Sequence, residues 1–165
     1  MKFILNLLAV LVFTFSLSGI ASAQEPLESL MEVFLVEQIQ TDDGVEESLV
    51  QVDEAAPESI LEYVLTYTNT SDQSLNGFVI RNPVPANTSY MADTASSPEG
   101  ARFMVSIDHG ANFESEPVVR VVEDENGNER EIIISPDQYN ALEWTVEQPL
   151  EAGQQMSMRY RVIID

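Results

Sequence analysis

Few side chains in this chain could do catalytic chemistry. His109 is the only histidine, and it follows Asp108 in a stretch, DHGAN, that is typical of an exposed turn. Cysteine is absent, so the usual zinc and copper sites lack ligands. Paired carboxylates can hydrolyse sugars, but among 28 acidic residues such pairs are unavoidable and carry no information. We therefore predict that the protein is not an enzyme and has no catalytic, cofactor-binding or metal-binding residue. A hydrolase that uses carboxylates or His109 is the alternative.

The acidic stretch DENGNERE, residues 124–131, has oxygen ligands spaced as in a calcium loop. An EF-hand loop has glycine at its sixth position, whereas Gly127 is the fourth residue of this stretch and its flanks suit strands. Asn126-Gly127 between two β-rich runs is the strongest short signal for a hairpin. We predict a hairpin tip here, and weak calcium binding by the acidic loops is the alternative.

Negative charge dominates the chain. After residue 23 there are six arginines and no lysine against all 28 acidic residues, a formal charge of −22. Nucleic acid and anionic lipid both require cationic side chains, so neither is expected as a partner. Two interpretations of the charge stay open. One is solubility in a salty medium, where repulsion is screened, and the other is a requirement for a divalent cation.

Residues 1–23 indicate where the protein works. Lys2 precedes an apolar run over residues 3–17, and the sequence ASA at residues 21–23 has the small residues of a cleavage site. This pattern predicts a secretory signal peptide, a mature chain that begins at Gln24, and a periplasmic or extracellular location in a bacterium. No later apolar run reaches the roughly 18 residues that span a bilayer, so we expect no membrane insertion after cleavage. An uncleaved membrane anchor is the alternative.

Period-two alternation is the main structural signal in the remaining chain. Residues 60–70 alternate apolar and polar side chains, a polar turn follows, and residues 75–81 are predicted as a second strand that pairs with the first. Pro83 and Pro85 cannot donate to a ladder, so they should end the second strand or lie on an edge. The other predicted strands are residues 32–40, 45–52, 102–108, 117–123, 130–135, 139–146 and 156–164.

Eight or nine short strands at regular spacing predict an all-β fold, an immunoglobulin-like antiparallel β-sandwich. No segment after the signal peptide has helical periodicity over more than about ten residues. Residues 24–31 contain Pro26 and several polar or acidic residues, and we expect them to be a loose leader. Residues 32–165 are expected to form a single domain.

The stretch YVLTYTNTSDQSLNGFVIRNPVPANTSY, residues 63–90, resembles a known module. It is similar to the bacterial and archaeal surface-repeat family called domain of unknown function 11, which has Tyr, Asn-Thr-Gly, an apolar strand, Pro-Leu-Pro-Ala-Gly and Thr-x-Tyr in this order. LEW at residues 142–144 and LEAG at residues 150–153 resemble the Trp and Leu-x-Pro-Gly elements of the family. The matching positions in the first stretch are Tyr63, Thr66, Asn69, Thr70, Val79, Pro83, Pro85, Ala86, Thr88 and Tyr90.

The resemblance covers about two-thirds of the chain, from about residue 56 onward, and implies an immunoglobulin-like spacer or adhesive module of the cell surface. The chain departs from the family pattern at Ser71, Asn82 and Ala152, where the family has Gly, Asp and Pro. It also holds one copy, whereas members of the family usually occur in arrays. Two Asn-x-Ser/Thr sequences, at residues 69–71 and 87–89, fit N-glycosylation, but we interpret both as turn residues because the signal peptide and the family are bacterial.

Together these observations predict a secreted, non-catalytic binding or structural module of the cell envelope. Its partner is expected to be a protein or glycan that is engaged through an edge strand or loops. A fimbria-like subunit, whose edge is completed by a strand from a neighbour, is the main alternative.

Overall fold

Antiparallel pairing of strands builds the part of the chain that the computed structural model describes, residues 26–42 and 44–165. The predicted signal peptide, residues 1–23, lies outside these residues. A 3₁₀ turn at Pro136–Gln138 is the one helical element among them. The ten strands are β1 (Leu27–Thr41), β2 (Gly44–Gln51), β3 (Ile60–Asn69), β4 (Phe78–Pro83), β5 (Thr88–Tyr90), β6 (Ala101–Ser106), β7 (Val119–Glu123), β8 (Glu129–Ile133), β9 (Ala141–Val146) and β10 (Gln155–Ile164).

The strands form two sheets and a separate hairpin. The larger sheet has five strands in the order β2-β1-β3-β10-β5, and the smaller has three in the order β4-β9-β6. β7 and β8 pair only with each other. Both sheets contribute to one buried core, so the predicted all-β, sandwich-like fold is confirmed. No helix in the described ranges is long and apolar enough to cross a bilayer.

Aromatic side chains join the two sheets. Trp144 of β9 and Tyr160 of β10 are both fully buried, with ring centroids 6.2 Å apart. The Tyr160 hydroxyl accepts a hydrogen bond of 2.6 Å from Asn82 of β4, so its polar end is satisfied inside the core. The other buried apolar residues of the cluster are Leu61, Leu65, Ile80, Tyr90, Val105, Val118, Tyr139, Leu142, Met158 and Val162.

The predicted pairing of β3 with β4 is wrong. β3 lies in the middle of the larger sheet with β1 on one side and β10 on the other, so neither of its edges is free for β4. β4 instead pairs with β9 in the smaller sheet, and residues 70–77 cross from one sheet to the other. β4 is an edge strand that ends at Pro83, as the prolines predicted.

Two short stretches were also predicted wrongly. The expected loose leader at residues 24–31 is a strand from Leu27 onward, because residues 27–31 pair with the second half of β3, from Leu65 to Asn69. β5 is an additional strand of three residues, which is too short to show alternation, and its Tyr90 is buried. The two predicted hairpins, β1–β2 and β7–β8, are confirmed as antiparallel pairs.

Candidate functional site

The turn that holds His109 is organised by Asp108. Oδ1 of Asp108 accepts hydrogen bonds from the Ser106 hydroxyl and the Asn112 backbone N–H, and Oδ2 accepts one from the Asn112 side chain. These bonds, those from Asn112 first, lower the Asp108 pKa to about 2. His109 is exposed with a φ of 58°, and its ring makes no hydrogen bond to any described residue. The pair therefore closes a turn, and Asp108 does not orient the imidazole.

The acidic loop before β8 is a hairpin tip, as predicted. The Asp124 carboxylate accepts hydrogen bonds from the backbone N–H groups of Asn126, at 2.8 Å, and Asn128, at 2.9 Å. Bonds to Asn128 and then Asn126 lower the Asp124 pKa, because they stabilise the charged form. The carboxylate is thus engaged by its own turn. Across residues 26–42 and 44–165, no group of three or more acidic or histidine side chains is arranged to hold a metal ion.

Asn69 holds the corner where the chain leaves β3. Its side chain is 0% exposed, and its amide nitrogen donates to the carbonyl oxygens of Gln73 at 2.7 Å and Leu150 at 2.8 Å. Its side-chain oxygen accepts from the backbone N–H and the hydroxyl of Ser71. The second sequon residue, Asn87, lies in an exposed turn with a φ of 60°. Asn87 is a turn residue, as predicted, whereas Asn69 is the last residue of β3 and its side chain organises the turn that follows.

A charged cluster lies on the outer face of the larger sheet. Glu62 is only 3% exposed, and its Oε2 is 2.7 Å from Nε of Arg161. Arg161 also pairs with Glu47 of β2 at 2.7 Å, and this contact lowers the Glu47 pKa. Oε1 of Glu62 has no hydrogen-bond partner among the described residues, and its ion pair with Arg159 is long, at 3.7 Å. The cluster ties together strands that are not neighbours.

This contact shows that the β1–β2 hairpin bends over the outer face. β1 and β3 separate β2 from β10, and Glu47 is four residues out of register with the row that contains Arg161. In a flat sheet these offsets would place the two Cα atoms roughly 20 Å apart, which is beyond the reach of the side chains. The hairpin must therefore curl toward β10, and it covers Glu62.

The first half of β1 is an uncovered strand edge. β2 pairs with β1 only from Phe34 onward, and Val52, the residue after β2, lies opposite Val33, so residues 27–32 have a strand of the described chain on one side alone. We call this segment the β1 edge.

The hydrogen-bond phase of the β1 edge follows from its first contact. Thr70 N–H donates to the Pro26 carbonyl at 2.9 Å, so the even-numbered residues of β1 bond to β3. The odd-numbered residues face away from β3. Consistent with this phase, Asn69, which is opposite Leu27, exchanges backbone bonds with Gln154 and Gly153 instead. Within the described chain, free N–H and C=O groups therefore point outward from three residues, Leu27, Ser29 and Met31.

An apolar cavity lies at the end of the β1 edge, beside Val33. Its volume is 300 Å³, and Val33, Leu61 and Ile164 contribute apolar walls. These three residues belong to β1, β3 and β10, and all lie on the inner face of the larger sheet. The remaining lining comes from the loop after β2: Val52, Asp53, Glu54 and Ala55. We call this space the end cavity.

Exposed apolar and acidic side chains surround the β1 edge. Leu30 is 57% exposed and Met31 is 49% exposed, which is high for apolar residues within a strand. No ion pair or hydrogen bond with a described residue engages the carboxylates of four nearby residues, Glu28, Glu32, Asp53 and Glu54. The surface thus combines free backbone groups, apolar contact area and uncompensated negative charge. No local pattern indicated this surface, because the stretch does not alternate and was predicted as a leader.

Comparison with known proteins adds no family to this description. No family model, no curated protein and no solved structure matches the chain.

Proposed function

We propose that the chain is a secreted, non-catalytic binding module of the cell envelope that engages a partner protein through a strand edge. The observation that supports it is the β1 edge, where the outward backbone groups of three residues, Leu27, Ser29 and Met31, have no partner in the described chain. Extended peptides commonly bind by adding a strand to such an edge, which supplies affinity through main-chain hydrogen bonds.

The composition of the β1 edge favours a binding role over a blunted edge. Soluble proteins usually protect an edge with lysine, proline, a bulge or a covering loop. Pro26 lies just before the segment, and residues 27–32 contain neither proline nor lysine. Glu28 and Glu32 are on the outer face, where their negative charge discourages pairing between copies of the same acidic chain. An edge with these properties can pair with a strand of another protein, and charge repulsion disfavours its pairing with a second copy of the chain.

The experiment is site-specific photo-crosslinking in the intact envelope. A photoreactive residue is placed at Ser29 on the β1 edge and, in a matched variant, at Glu125 on the exposed tip of the β7–β8 hairpin. We expect a discrete adduct with one envelope protein from Ser29 and none from Glu125. Recovery of the exported chain without an adduct at either position would refute the binding role. The same preparation tests export, because the purified protein is expected to begin at Gln24.

A further inference from the structure

We infer that the β1 edge and the end cavity form one docking site for an extended, basic segment of another protein. This inference rests on the proposed function and specifies the chemistry of the partner. The segment adds a strand to the larger sheet, inserts one large apolar side chain into the end cavity, and presents lysine or arginine to the carboxylates around it.

The backbone phase sets the geometry of such a segment. Its main chain bonds to Leu27, Ser29 and Met31, whose N–H and C=O groups point outward and have no partner in the described chain. Side chains alternate between the two faces of a strand, so every second residue of the segment lies on the inner face, level with Ser29 or Met31. The residue opposite Met31 is then the inner-face residue of the segment nearest to the 300 Å³ end cavity, whose walls are mainly apolar.

Charge selects the composition of the segment. Glu28 and Glu32 are on the outer face of the β1 edge, and Asp53 and Glu54 line the end cavity. None of the four has an ion-pair partner in the described chain. A segment that alternates apolar and basic residues can place an apolar side chain in the end cavity and also pair with these carboxylates.

A second copy of this chain does not meet these requirements. The full chain carries a net charge of −21, and its only lysine is in the predicted signal peptide. Four of its six arginines, Arg81, Arg120, Arg159 and Arg161, already pair with carboxylates of their own chain. The occupant is therefore a different, basic protein.

The test uses a synthetic nine-residue peptide that alternates lysine with valine and has leucine at one inner position, and a control peptide with glutamate in place of lysine. Binding is measured by fluorescence anisotropy at low salt. We expect the basic peptide to bind the wild-type chain, and to slow hydrogen exchange at the amides of Ser29 and Met31. The acidic peptide is expected not to bind.

Two edge-proline variants locate the site. Ser29→Pro removes an outward N–H from the β1 edge and leaves the ladder to β3 intact. Val45→Pro is the matched control. Thr41 and Gly44 form the hydrogen-bonded pair that closes the β1–β2 turn, so the N–H of the next residue, Val45, points away from β1 to the outer edge of β2. Losing one main-chain hydrogen bond should weaken binding about tenfold in Ser29→Pro and leave Val45→Pro unchanged. Ala55→Phe, which fills the end cavity, should also weaken binding.

Each contrary result overturns a stated part of the inference. Equal binding of the acidic peptide, or no binding of the basic one, excludes a basic segment. Weakening by Val45→Pro alone moves the site to β2, and self-association of the chain without peptide makes a second copy the occupant. If Ser29→Pro fails to fold, hydrogen exchange in the wild-type complex decides the location, and unchanged exchange at Ser29 and Met31 excludes the β1 edge. None of these results removes the proposed function, which depends on the adduct formed from Ser29 in the envelope.

Discussion

Replacing Asn69 should show how much the corner after β3 contributes to stability. The buried amide joins three segments, because its nitrogen donates to the carbonyls of Gln73 and Leu150 and its oxygen accepts two bonds from Ser71. Each such bond contributes about 1 kcal/mol net. Leu150 also accepts the Leu75 N–H, and in the variant the single hydroxyl hydrogen of Ser71 can turn to the Gln73 carbonyl, 3.0 Å away, so three of the four bonds are lost without replacement. We therefore expect Asn69→Ala to lower the free energy of unfolding by about 3 kcal/mol.

Asn69→Asp should lower the free energy of unfolding more than Asn69→Ala does at pH 7. An aspartate oxygen would replace the amide nitrogen, 2.7–2.8 Å from two carbonyl oxygens that would repel it. It would also bury a negative charge, since the side chain at this position is 0% exposed. Both effects raise the pKa of the introduced carboxyl in the folded state. A raised pKa gives a variant that regains stability as the pH falls, because the protonated group is neutral and can donate one hydrogen bond. The loss of stability in Asn69→Ala, relative to the wild type, should not change with pH.

Urea unfolding followed by the fluorescence of Trp144, the single and fully buried tryptophan, measures these changes. Asn126→Ala is the control, since this asparagine is exposed at a hairpin tip, and its effect should stay within about 0.5 kcal/mol. A loss below about 1 kcal/mol in Asn69→Ala would refute the reasoning, and so would equal stabilities of the two Asn69 variants at pH 7.

Three further predictions concern charge, and each is measured by urea or thermal unfolding. Arg161→Gln leaves the buried Glu62 with only a long ion pair and should lower the free energy of unfolding by about 3 kcal/mol. The Arg159 side chain is 59% exposed, so Arg159→Gln should lower it by less than about 1 kcal/mol, and equal effects of the two variants would contradict this reasoning. Burial raises the pKa of Glu116, so its ionisation costs stability as the pH rises through that pKa. Glu116→Gln should therefore be more stable than the wild type at pH 7 and equally stable at pH 3, and a gain that persists at pH 3 would exclude ionisation as the cause. Added sodium chloride should raise the melting temperature because it screens the net charge of −21, and a flat profile up to about 1 M would show that self-repulsion is unimportant.

Local patterns identified most strands correctly. Alternation over residues 60–70 predicted β3, because side chains on a strand point to opposite sides. Asn126-Gly127 predicted the β7–β8 hairpin, where Gly127 has a φ of 81° that glycine adopts readily. Pro83 predicted the end of β4 because it lacks an N–H. Each of these signals depends only on residues close together in the chain.

The features that form the candidate site depend on contacts distant in sequence. Nothing between residues 60 and 81 tells whether β4 pairs with β3 or crosses to the other sheet, because both arrangements bury the same faces. The β1 edge is a strand only because β3 is beside it. The bend of the β1–β2 hairpin is fixed by the contact of Glu47 with Arg161, whose positions are 114 apart. Patterns within one segment cannot reveal such pairs.

The position of β10 has a consequence for how the chain folds. β10 pairs along its whole length with β3, and it supplies Met158, Tyr160 and Val162 to the core. Its partners come far earlier in the chain, so these contacts close large loops and favour slow folding. Until residues 155–164 are available, β3 has only β1 beside it, and Trp144 of β9 lacks the cover that Tyr160 supplies. A nascent chain should accordingly stay incompletely folded and accessible to chaperones, a state that would suit the export proposed above.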